Sequence, residues 1–123
     1  MTNWELINSC LIALREAGGY IYGFAGTRWT EELQARYELV QETTKTYGRR
    51  WLGRRVWDCS GLISWACKMY GEEVFHGSDT IWRKYTRNKG KIDSDTQLRP
   101  GTCVFLYDAQ KKNRHHIGVY VGK

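Results

Sequence analysis

The residues in this sequence best placed for covalent chemistry are one cysteine and one histidine. In VWDCSGLISWACKMYG (residues 56–71) Cys59 stands between Asp58 and Ser60, just ahead of Gly61 and an apolar run. Leu62, Ile63, Ala66, Met69 and Tyr70 recur at helical spacing on one face, and Gly71 closes the run. Cys59 is therefore expected at or near a helix N-terminus. A thiol there meets the positive end of the macrodipole and unpaired backbone amides, both of which favour thiolate. The competing reading is a small buried spacer, the commonest fate of a free cysteine. Polar neighbours and the unobstructed backbone at Gly61 weigh against that reading.

Of the other cysteines, Cys10 and Cys67 fall within helical patterns and Cys103 within an alternating strand, so all three read as packing. None of the four forms a CxxC pair, and the Cys59 to Cys67 spacing puts two turns of helix between them, which disfavours a zinc site. A nucleophilic cysteine needs a base, normally an imidazole. His76, in VFHGSD, reads as solvated; His115 and His116 open the final strand. Strand side chains alternate, so if Ile117, Val119 and Val121 share one face, His116, Gly118 and Tyr120 share the other. The glycine beside His116 suggests room there for a helix terminus. A plain polar strand start remains open for the pair.

The elements that must position these groups are legible in outline. Thr2 and Glu5 have capping-box spacing, and Leu6, Ile7, Cys10, Leu11 and Leu14 continue as a helix until Gly18-Gly19. GYIYGFAG (19–26) reads as a tight loop whose glycines let backbone approach something closely. A second helix is predicted from Thr30 to about Tyr47, with Leu33, Tyr37 and Val40 on its apolar stripe and Gly48 as its C′ residue. The basic loop RRWLGRR follows. A short helix is expected from Ser78 to about Arg87, and TCVFLYD and HHIGVYVGK form an antiparallel hairpin after a Pro-Gly turn.

At 123 residues the chain has the size of one domain, and 41% hydrophobic with 14% aromatic residues excludes disorder. No run approaches the roughly 18 apolar residues of a membrane span, and the N-terminus lacks the pattern of a signal peptide. A net charge of +6 favours a polyanionic partner: nucleic acid, anionic lipid or acidic wall polymer. Arg49, Arg50, Arg54 and Arg55 with Trp51 and Trp57 have the composition of a phosphate-binding loop, although no nucleic-acid motif accompanies them.

Four segments, GYIYGFAG, DCSGLISWA, LRPGTCVFLYD and HHIGVYVG, taken in this order, resemble the NlpC family of bacterial cell-wall cysteine peptidases. The resemblance implies a papain-like α+β fold, with N-terminal helices and a nucleophile-bearing helix packed on an antiparallel sheet. It carries over Cys59 as nucleophile and His116 as base. It also places Tyr20 at the substrate and oxyanion, and Asp58 and Ser60 at the free amine of a stem peptide. The implied reaction is amide hydrolysis in peptidoglycan stem peptides, between D-Glu and a diamino acid, with no metal or organic cofactor. Its partners would be the stem peptides and, through the basic surface, anionic wall polymers.

Two departures from the family pattern stand out. Residues 27–56 are longer than the usual link, giving a single domain over 1–123 with an inserted helix and basic loop that would wall the cleft. The family's third catalytic residue lies beyond GVYVG, where this sequence ends at Lys123, so it and the C-terminal end of the family domain are expected to be missing. An amidase or acyltransferase using the same Cys-His pair, and a weakly active or inactive wall-binding module, are the alternatives. Action at the bacterial wall is expected, reached as a phage lysin, an effector or a domain of a larger secreted protein.

Overall fold

Thr2 caps the first helix as its spacing requires: its hydroxyl accepts from the Glu5 amide at 3.2 Å, and the Glu5 carboxylate accepts from the Thr2 amide at 2.8 Å. The computed structural model describes residues 1–122; Lys123 lies outside them. The order is α1 (Asn3–Arg15), β1 (Gly19–Tyr20), β2 (Ala25–Arg28), α2 (Glu31–Tyr37), α3 (Glu42–Tyr47), a 3₁₀ turn (Gly48–Trp51), β3 (Arg55–Trp57), α4 (Cys59–Met69), α5 (Ser78–Lys84), β4 (Thr102–Asp108) and β5 (Asn113–Tyr120). No helix among the described residues is long and apolar enough to cross a membrane.

The architecture is α+β, with two sheets. β4 and β5 form the expected antiparallel hairpin, and α4 and α5 pack on β5. Leu6 and Cys10 of α1, Ile63, Ala66 and Cys67 of α4, Ile81 of α5 and Ile117 of β5 are buried together as the main core. The second sheet, ordered β1-β3-β2 with β1 parallel and β2 antiparallel to β3, had no counterpart in the sequence pattern. Its strands run only two to four residues, too short for alternation to show.

The single helix expected over Thr30 to Tyr47 is instead two helices, α2 and α3, with the 3₁₀ turn following them. Leu39 and Val40 at the break are 83% and 76% exposed, so the stripe ends at Tyr37. The cause is a buried polar knot. Gln34 is fully buried, accepts from the Trp29 indole at 2.8 Å and donates to the Thr44 carbonyl at 3.0 Å, folding α3 back over α2. Satisfying every one of these groups is what makes their burial tolerable. Gly48 has an ordinary helical φ of −60°, not the left-handed C′ conformation expected of it. Trp29, Ile21 and Val56 then form a second core with Phe24 and Tyr37, whose rings meet edge-on.

Candidate active site

Cys59 is the first residue of α4, and Asp58 is its cap. The Asp58 Oδ1 accepts from the Gly61 amide at 2.7 Å and its Oδ2 from the Gly23 amide at 2.8 Å. One buried carboxylate thus starts α4 and ties it to the loop after β1. The same join demands glycine at 61, because a Cβ there would lie 2.0 Å from the Phe24 carbonyl oxygen, which also accepts from the Asp58 amide at 2.8 Å. The loop side shows the same economy: a Cβ on Gly19 would lie 2.0 Å from the Trp51 ring.

Behind this join is a cleft of about 680 Å³, bounded by α1, the 3₁₀ turn, the start of α4 and β5. Cys59, His116, Tyr20 and Asp58 all line it, together with Trp51 and Trp57. Cys59 is half-buried, whereas Cys10 and Cys67 lie in the core. Burial raises the Cys10 and Cys67 thiols, and pushes that of Cys103 up to about 11. Tyr20 is 56% exposed at the cleft mouth. Its phenol is raised first by desolvation and then by the neighbouring Cys59 and Asp58, while the Cys59 backbone amide directed at its oxygen acts the other way. A raised phenol stays protonated at neutral pH and is available as a donor.

His116 reaches the cleft, but not for the reason strand alternation suggested. The α4 helix packs on the Ile117 and Val119 face, and Gly118 has nothing within 4 Å of where a side chain would begin. His116 enters from the margin. Leu106 pairs with His116 and Tyr107 with Arg114, leaving His115 as the unpaired residue of a β-bulge. Bulges re-aim the side chains beside them and recur next to active sites. Among the described residues no hydrogen bond joins Cys59 to His116; such contacts often tighten only around substrate.

Ser60 is buried, and its hydroxyl lies 3.5 Å from the Asp58 Oδ1. His76, read from sequence as solvated, is half-buried with Nε2 2.5 Å from that same Asp58 oxygen. Nothing local signals this contact, which depends on the loop after α4 folding back along the helix. Met69 and Tyr70, expected on the buried face, are exposed where α4 overruns the sheet before Gly71 turns the chain at φ +78°.

The model of the NlpC/P60 family matches residues 36–123, which spans α4 and both strands of the hairpin. The chain belongs to the NlpC/P60 family. Its α+β arrangement is the papain-like fold of that family. NlpC/P60 proteins are in general cysteine peptidases and related hydrolases associated with the cell wall, and a cell-wall peptidase type of function follows at that level. GYIYGFAG and the start of the long link precede the matched region. No curated protein and no solved structure gives a significant match.

Proposed function

We propose that the chain hydrolyses amide bonds in peptidoglycan stem peptides, between D-Glu and the diamino acid, with Cys59 as nucleophile and His116 as base. The observation that carries this reading is the convergence of Cys59, His116 and Tyr20 on one cleft, with Cys59 at a capped helix start. His116 takes the thiol proton as the sulfur attacks the scissile carbonyl carbon. Negative charge moving onto the carbonyl oxygen meets the Cys59 amide and the Tyr20 hydroxyl. His116 then protonates the departing amine, leaving a thioester on Cys59. Water, deprotonated by His116, cleaves the thioester and returns the thiol.

Asp58 supplies negative charge at the cleft wall for the free amine of the stem peptide, and Ser60 acts through its contact with Asp58. In this reading residues 1–123 work as one domain, and the inserted stretch over 27–56 narrows the cleft through Trp51. The test is digestion of purified peptidoglycan, in which L-Ala is still amide-linked to the muramoyl lactyl group, followed by mass spectrometry. A new amine on the diamino acid is expected. A new amine on L-Ala would replace the proposal with an amidase, and intact peptide with wall adsorption would replace it with a binding module.

A further inference from the structure

The excess positive charge is not uniformly available. In the basic loop, Arg49 faces Glu31 and Glu38, Arg54 donates to the Ala17 carbonyl, and Arg55 faces Glu16 and donates to the Gly26 carbonyl. A second cleft, about 1370 Å³, runs along β4, takes in Arg114 of β5, and is closed by the segment after α5. Arg87, Lys89, Lys91 and Arg114 line it, and none of the four forms an ion pair among the described residues. Among the described residues no acidic side chain lines it.

Two of these cations are held in place by aromatic rings rather than by carboxylates. The Arg114 guanidinium lies 4.4 Å from the Trp82 ring centroid and 4.7 Å from that of Tyr107. The Lys89 ammonium lies 5.1 Å from the Trp82 ring and donates to the Trp82 carbonyl. Trp82 is itself fixed edge-on against Phe105. Ring faces attract a cation without using up its N–H donors, so an arginine held this way keeps its planar fork free for an oxyanion. The half-buried setting of Arg114 strengthens any such contact relative to open solvent.

We propose that this second cleft binds a phosphodiester polymer of the cell wall, with Arg114 and Lys89 as the ordered anion contacts and Lys91 and Arg87 extending them along β4. A linear polyanion suits a groove of this volume with several cations along it. Choosing a wall polymer rests on the cell-wall reading above; the anion site itself does not.

The test uses Cys59→Ala protein, so that hydrolysis plays no part and failure of the peptidase reading has no bearing on the result. Binding to poly(glycerol phosphate), and co-sedimentation with sacculi before and after removal of their phosphodiester polymers, are measured across a salt series. K89Q/K91Q is expected to weaken binding about tenfold at low salt and to lower the log–log salt slope by about 1.5, each cation contributing roughly 0.7–0.9. Arg114→Lys, which keeps charge but loses the fork, is expected to weaken binding without changing that slope. R49Q/R50Q should leave binding intact. Equal binding by all variants, loss in R49Q/R50Q instead, undiminished binding to stripped sacculi, or tighter binding of a DNA duplex through the same residues would each overturn the proposal.

Discussion

Asp58→Asn separates the structural work of the cap from its shape. The carboxylate accepts on both oxygens, from Gly61 at 2.7 Å and Gly23 at 2.8 Å, whereas an amide offers one acceptor and turns a donor toward the other N–H. Asn caps helices about as well as Asp, so the Gly61 bond survives and the Gly23 bond is lost. A hydrogen bond to a charged acceptor in a buried setting is worth about 1.5–3 kcal/mol, so about 2 kcal/mol of stability should go. With a urea m-value of roughly 1–3 kcal/mol/M, the unfolding midpoint should fall by about 1 M. Detaching the Gly23 loop also releases Tyr20 from the start of α4, so alkylation of Cys59 by iodoacetamide should change rate while the other cysteines stay slow. His76→Gln should couple to Asp58→Asn by about 1 kcal/mol in a double-mutant cycle, since the two side chains touch. A midpoint within error of the parent, unchanged labelling and no coupling would refute the assignment of Asp58 as the residue that joins loop, helix and His76.

Gly61→Ala should cost about 2–3 kcal/mol in thermal or urea unfolding, because its Cβ would lie 2.0 Å from the Phe24 carbonyl oxygen and the join must open to admit it. Tyr20→Phe should lower kcat on a stem peptide by about a hundredfold with little change in KM; an unchanged kcat would remove Tyr20 from the oxyanion site. The Cys103 thiol is raised from 9.0 to about 11 by burial, so its contribution to stability is complete below pH 9 and is lost as pH rises through 11. Between those limits the parent should lose about 2–3 kcal/mol more than Cys103→Val, as followed by urea unfolding at each pH.

The parts of the site legible in sequence were those with local signatures. Helix α4 declared itself through its periodicity and through Asp58 at the cap, and the hairpin through its turn residues and alternation. Alternation in β5 divides the residues as the sequence suggested, Ile117 and Val119 on one face and His116 and Gly118 on the other, but alternation does not say which face a helix covers, and α4 packs on the Ile117 side. The break between α2 and α3 was hidden for a different reason. Gln34 looks like any exposed polar residue in a helix, and only its contacts with Trp29 and Thr44 reveal it as a buried knot. His76 was misread similarly: its partner lies 18 positions away, a separation no local pattern encodes. The glycines of GYIYGFAG announced a close approach, but Trp51 as the group approached at Gly19 emerged only from the fold.

Release of soluble fragments from purified sacculi, followed for the parent, Cys59→Ala and His116→Ala side by side, tests the central claim most directly. Expected is release by the parent with a new amine on the diamino acid, none above background from Cys59→Ala, and a loss of at least about a hundredfold for His116→Ala. Equal release from the parent and Cys59→Ala would contradict the assignment of Cys59 as the nucleophile.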